Sequence, residues 1–555
     1  MARNVQTIRI ESILGGHSKL TAFAQPDQFM TSLGINPALG GTDDPDSGEG
    51  DPLGYIRPVG SSPISGTIGG ANEIVWIVAP PSGGNFGSGN YGGMAYYLYG
   101  SAGSIYTIDE QWSAISALGD LTDGGSASGN GCAYYDNYIY FSRDTTVARY
   151  GPMDSSLRSF TDDYWVGTLG KVALDDVVYP ESFGNSFTFP NHYLHRHSDG
   201  KLYIADVVGN QGTIHYVKTT KTTVEGDTDN GSTYDALSFG YKLYPTAMES
   251  YGDLLVISLF ENMGEENGFL NARDSKTTAK VAFWDTTSEN ANQIIWVEYP
   301  DQYISAIKNV NGNLYFFGGA INVPGYRVMQ YIGGTSFQEV YSSRATAIPA
   351  PGAIDSASNL LAFGSQIVFP SGTGGTVFGL GVDHPILGNG LFSIATTKGA
   401  GIPSAIKMIK NSNGYNDSPV VAYTKTGVAG VDFPSGYTNA DATYNRWFSQ
   451  MYRIGQPFKI LSIRLNFYDG IGASDSLQVR IGKAGTPGST TLVATIDQSY
   501  GSSREGVVVR LNDVVCQSDF FLELRWVAGT TNPLIVSLPI TIEYEVLDID
   551  ARHNP

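Results

Sequence analysis

One pattern recurs from about residue 75 to about residue 450: a strand opening on small or apolar residues, a tight polar turn, then a strand of Leu, Ile, Tyr and Phe. It reads Ala133-Tyr-Tyr-Asp-Asn-Tyr-Ile-Tyr-Phe141, Leu194-His-Arg-His-Ser-Asp-Gly-Lys-Leu-Tyr-Ile204, Ala247-Met-Glu-Ser-Tyr-Gly-Asp-Leu-Leu-Val256, Ala306-Ile-Lys-Asn-Val-Asn-Gly-Asn-Leu-Tyr-Phe316 and Ala353-Ile-Asp-Ser-Ala-Ser-Asn-Leu-Leu-Ala362. Weaker copies lie at Ile74 to Tyr99 and Ala405 to Tyr423. Asn, Asp or Gly between alternating apolar residues is the strongest short-range hairpin signal. A third strand often follows, as in Ser104-Ile-Tyr-Thr-Ile108 and Lys280-Val-Ala-Phe-Trp284. The second-strand residues Ile139, Leu202, Leu254, Leu314 and Leu360 recur at roughly 46 to 63 residues. Several strands per unit at such a period describe a propeller blade lengthened by loops. Seven candidate blades are counted, and six or eight fit the same repeats.

The ends differ. Residues 1–70 hold the strand-like Thr7-Ile-Arg-Ile10 and then a Gly, Pro and Asp-rich run. They read as an extended N-terminal docking arm with little core of its own. The propeller is expected over 71–451. Clean alternation then begins with Phe458-Lys-Ile-Leu-Ser-Ile-Arg-Leu465 and ends with Leu534 to Val546, which predicts a β-sandwich or jelly roll over 452–555. The fold class is all-β.

Composition narrows the function classes. Net charge is −20, from 33 basic and 53 acidic residues, with no basic stripe, so nucleic acid and anionic membrane are poor partners. Charged residues make up only 15% beside 68 glycines, which suits Gly-rich turns and Tyr, Ser and Thr faces. Cys132 and Cys516 fall in different expected domains and are read as free thiols. Met1 to Gln6 leads into no apolar stretch, so no signal peptide is read, and no apolar run of about 18 residues predicts membrane insertion. Texture that looks extracellular without an export signal fits a virion protein made in the host cytoplasm.

Each candidate site also has a plain structural reading. His192, His195 and His197 could offer zinc three imidazoles, but strand alternation puts His192 on the face opposite the other two, which favours a structural role. Asp227, Asp229, Asn230 and Asp235 form the best calcium candidate, since calcium takes oxygen ligands at alternate loop positions. The loop lacks the bidentate Glu of an EF-hand, and a solvated acidic turn accounts for the same residues. Asp136, Asp199, Asp253 and Asp355 repeat across blades and are assigned to turn chemistry. No nucleophile elbow, Walker loop or His-Glu-x-x-His motif is present, so catalysis is not expected.

Blade geometry separates two faces. First-to-second-strand turns are short and uniform, while second-to-third-strand loops are long: Phe260 to Thr278, Gly319 to Gly325 and Gly364 to Thr376. Variable loops on a rigid scaffold collect function. The long connection from Gly151 to Asn191 is expected on the same face, so the expected binding face carries Tyr164, Trp165, Phe260, Asn262, Asn267, Phe269, Asn271 and Arg273, aromatic and amide groups suited to sugar or protein recognition.

With its Asn-Gly-Asn-Leu-Tyr-Phe type repeats, the whole layout resembles virion proteins of tailed phages, such as tail nozzles and receptor-binding or fibre-like components. The resemblance implies a structural protein of the tail or virion exterior. Its partners would be other virion proteins, copies of itself and a host-surface glycan or protein. It transfers no site residues. A secreted lectin or adhesin and a glycan-cleaving propeller enzyme are the other readings.

Overall fold

A computed structural model describes the strands and most of their short turns. The longest stretches outside the description are residues 18–27, 36–55, 80–95, 121–130, 162–191, 226–235, 262–277, 410–417, 436–444 and 548–555. The chain is an all-β propeller with a β-sandwich. Among the described residues, seven antiparallel sheets of four strands, one with a fifth, follow one another in sequence order. Their innermost strands are Ile74–Val78, Gly131–Tyr135, Leu194–Arg196, Leu243–Tyr251, Tyr303–Val310, Ile354–Ala357 and Ile402–Ile409. Each touches the next, and the last touches the first, which closes the ring.

The hairpin chemistry is where the repeats put it. Asp136 and Asn137 both have positive φ, at 42° and 71°, and Asn311 and Gly312 repeat this at 50° and 79°. That is the type I′ geometry whose twist matches the flanking strands. Each blade then buries both faces against its neighbours with Ile, Leu, Val and aromatics such as Phe316, Phe317 and Phe363. Hydroxyls tie one blade to the next through backbone carbonyls. Tyr99 Oη donates to Ser142 O at 2.9 Å, Ser142 Oγ to His192 O at 2.8 Å, Thr246 Oγ1 to Ile304 O at 2.8 Å, and Ser305 Oγ to Pro349 O at 3.2 Å.

Gly131 shows how tight these joints are. Its N–H donates to Ser142 Oγ, and a Cβ there would collide with the His192 carbonyl oxygen of the next blade. Gly131→Ala is therefore expected to force the second and third blades apart. Overpacking of this kind costs about 1–3 kcal/mol, which a lowered urea midpoint at unchanged m would register. A midpoint equal to wild type would show that the joint yields freely.

Residues 1–70 are not a separate arm, and this corrects the sequence reading. Val5–Ile10 pairs antiparallel with Val536–Val546, the C-terminal strand of the sandwich. Thr31–Leu33 pairs with Arg446–Phe448 in the second sandwich sheet. Gly60–Pro63 is the outermost strand of the seventh blade, paired with Val428–Ser435. The segment looked coreless because its partners lie hundreds of residues away. The expected boundary at 451 also moves, since Arg446–Phe448 already belongs to the sandwich.

The sandwich comprises two sheets. One orders Val5–Ile10, Val536–Val546, Phe458–Phe467 and Val507–Cys516. The other runs Thr490–Ile496, Leu477–Gly482, Asp519–Trp526, Arg446–Phe448 and Thr31–Leu33. Its core is continuous with the sixth blade: Phe29 is fully buried with its ring 5.8 Å from Phe392 of that blade and 6.2 Å from Trp447 of the sandwich. Ile35 N–H also donates to Ser393 O in the outer strand of the same blade. Cys132 and Cys516 are both buried and free.

Candidate functional site

The predicted site residues fare unevenly. Tyr164, Trp165, Asn262, Asn267, Phe269, Asn271 and Arg273 lie outside the described residues, as do Asp227, Asp229, Asn230 and Asp235 of the calcium candidate. Phe260 is corrected. It sits in the strand Leu254–Glu261 opposite Tyr244, 2% exposed, in the core between the fourth and fifth blades. It cannot present its ring to a ligand. The expected loop from Gly364 to Thr376 is corrected too. Leu360–Phe369 and Gly372–Gly381 form one long hairpin paired to its end at Phe369 and Gly372. Backbone pairing carries the sheet straight through the glycines of this stretch.

Asp355 is a third correction. It is no turn residue but sits on the inner strand Ile354–Ala357, opposite Ala362, and is buried. Its carboxylate accepts from Met408 N at 2.8 Å and meets Lys407 Nζ at 3.0 Å and Lys308 Nζ at 4.0 Å. Those cations belong to the inner strands on either side. Glu249 occupies the same kind of position two blades further back, 4.0 Å from His195 Nε2. His195, Glu249, Lys308, Asp355 and Lys407 thus follow one another over five consecutive inner strands, each one or two residues before its strand ends. From Glu249 to Lys407 they form an arc of alternating charge around the propeller axis, with the imidazole of His195 at its head.

On the other side of the ring, Trp76 of the first blade reaches Tyr193 at the start of the third, ring centres 5.9 Å apart and edge to face. The turn Pro351–Ala353 packs against the first blade so closely that a Cβ on Gly352 would collide with Val75 O.

The electrostatics follow from this burial. For Asp355, burial opposes ionisation, but Lys407, Lys308 and the Met408 N–H together outweigh it and hold the carboxyl below the ordinary aspartate range. Burial raises Glu249 above the ordinary glutamate range despite Lys308. Burial, with Lys308 and His197 nearby, pushes His195 down to about 3.

One chemical possibility is specific. Ser250 Oγ lies 2.8 Å from His195 Nε2 and 2.9 Å from His197 Nδ1, and a hydroxyl beside an imidazole is the start of a nucleophilic site. Two features count against it. A base works best with a pKa near the working pH, and His195 is held far below that. Glu249 also approaches Nε2, the nitrogen already facing the serine, rather than the far nitrogen that an orienting carboxylate would take. His192 sits in the turn ahead of the strand Leu194–Arg196 and turns the other way, with Nδ1 3.5 Å from Asp206 Oδ1. Among the described residues no group of three or more His, Cys, Asp or Glu could hold a metal ion.

A sequence signal for the arc existed. The inner strands read Ala247-Met-Glu249, Ala306-Ile-Lys308, Ala353-Ile-Asp355 and Ala405-Ile-Lys407. A buried alanine, one apolar residue and a charge recur in four successive blades, and aligning the repeats on the alanine exposes them.

No protein-family model matches the chain, and no curated protein matches it. Among solved structures it is similar to the WD40 beta propeller domain of Doa1, at 11% identity over 67% of this chain and 97% of that one, TM-score 0.36. It is similar to BBS1N in complex with ARL6DN, at 7% identity over 69% of this chain and 97% of that one, TM-score 0.35. It is also similar to a chain of the nidogen/laminin complex, at 12% identity over 46% and 78%, TM-score 0.29. Scores at this level carry no argument about this chain, and its assignment as a propeller rests on the ring of seven sheets described above.

Proposed function

We propose that this protein is a non-enzymatic structural and interaction component of a tailed-phage virion, placed on the tail or particle exterior. It would bind neighbouring virion proteins or copies of itself, and a host-surface glycan or protein. The observation that carries the reading is the shared core around Phe29, Phe392 and Trp447, which joins propeller and sandwich. Domains joined by small polar contacts move by default, whereas a buried apolar joint holds them as one body. Such a body can transmit position from one subunit to the next. The charged arc supports the same reading, because its carboxylates are engaged by lysines and backbone N–H groups rather than poised towards a substrate. The acidity of the chain argues against nucleic acid as a partner.

Immunogold labelling of gradient-purified particles with antibody to this chain tests the proposal. Label at the tail or on the particle surface is the expected result. Purified particles free of the chain by both labelling and denaturing gel would overturn it.

A further inference from the structure

We propose that the outer edge of Val507–Cys516 is a docking edge. It would take an extended partner segment with an acidic residue between two apolar ones, added as a fifth strand. This strand ends the four-stranded sandwich sheet and pairs only with Phe458–Phe467 among the described residues. An edge strand presents a row of free N–H and C=O groups, and proteins usually blunt such edges with short length, proline or lysine. This one, Val507-Val-Val-Arg-Leu-Asn-Asp-Val-Val-Cys516, is ten residues long with neither proline nor lysine, and its one irregularity, a bulge between Arg510 and Val514, leaves Val507 to Arg510 as a regular edge. Its inward side chains Val507, Val509 and Leu511 are buried, while Val508 and Val515 stand 46% and 38% exposed.

Charge selects the partner. Arg510 and Val508 stand two residues apart on the outer face of that regular stretch, with Arg464 opposite Val508, while Val515 lies beyond the bulge with Lys459 opposite it. Arg464 lies over Gly506 at the head of the strand, where a Cβ would displace its guanidinium. Arg464 and Arg510 make the regular end of the edge basic in a chain of net charge −20, while Glu543 and Glu545 lie one strand further in, opposite Ser462 and Lys459. A second copy paired about Arg510 would set that arginine against itself, which like-charge cross-strand pairs disfavour. An acidic residue opposite Arg510, with an apolar neighbour opposite Val508, satisfies both groups while main-chain bonds supply the affinity.

The probe is a fluorescein-labelled peptide, Thr-Thr-Val-Thr-Glu-Thr-Val-Thr-Thr, compared by anisotropy with the same peptide carrying Lys in place of Glu. On the full chain the Glu peptide should bind saturably and protect amides of 507–516 from hydrogen exchange. The Lys peptide should bind about tenfold more weakly, the equivalent of one cross-strand charge contact. Arg510→Glu, an exposed change that leaves the core alone, should reverse the preference. Equal binding of the two peptides, no saturable binding, or protection elsewhere would overturn the proposal. So would a concentration-dependent dimer abolished by Val508→Lys, since the occupant would then be a second copy.

Discussion

Deleting residues 1–64 is expected to unfold the sandwich and open the propeller, leaving an aggregated or protease-sensitive chain. The segment supplies an edge strand to each sandwich sheet and the outer strand of the seventh blade. It also buries Ile10, Ile13, Phe29, Met30, Ile35, Ile56 and Ile64, each at most 7% exposed. A large apolar side chain contributes about 1.5–3 kcal/mol when buried. Together they approach or exceed the whole net stability of a domain, roughly 5–15 kcal/mol. Thermal melting and limited proteolysis of the truncated chain would read the effect. A truncated protein that melted cooperatively near the wild-type temperature would refute it, and would return the segment to the role of a dispensable arm. The prediction distinguishes two failures in any assembly experiment, because loss of incorporation after such a deletion would report lost folding before it reported lost docking.

The second large effect is expected at Asp355. Asp355→Ala leaves Lys308, Lys407 and the Met408 N–H without the carboxylate that engages them. Asp355 is buried while Lys308 and Lys407 keep 21% and 30% exposure, so the loss is set mainly by the unsatisfied Met408 N–H and the partly desolvated lysines, about 1–3 kcal/mol. The urea midpoint should fall accordingly. Asp355→Ala combined with Lys407→Met should cost less than the two changes summed, since the double variant leaves one stranded charge fewer. A single-variant loss under about 1 kcal/mol, the range of exposed pairs, would mean that the arc is solvated.

The pH dependence has two opposed parts. Asp355 is held below its unfolded value, so its contribution is present above the ordinary aspartate range and is lost as pH falls through its lowered folded value. Glu249 is raised, so its ionisation weakens the fold at neutral pH, and that penalty is relieved as pH falls through its raised value. Stability should therefore hold or rise slightly on mild acidification and drop at stronger acid. Glu249→Gln should remove the mild rise and keep the drop.

The sequence by itself determined the propeller and its turns. A hairpin is local: Asp136-Asn137 and Asn311-Gly312 adopt positive φ from their own chemistry, and the alternation beside them states which side chains turn inward. Seven repeats of that unit imply a ring, since no blade can bury both faces alone. What only the tertiary structure decided is non-local. Val5–Ile10 finds its partner in the C-terminal strand, and Gly60–Pro63 closes a blade whose other strands begin at Ile402. Nothing within a short strand names the distant edge it will pair with. Asp355 carried the same ambiguity, because an acid near a turn reads as turn chemistry until neighbouring strands bring Lys308 and Lys407 to it. Phe260 failed for the converse reason. Its place at the start of a loop suggested exposure, while the approach of the next blade buried it. Local conformational preference is written in consecutive residues, whereas burial and pairing across blades are set by which surfaces meet once the ring closes.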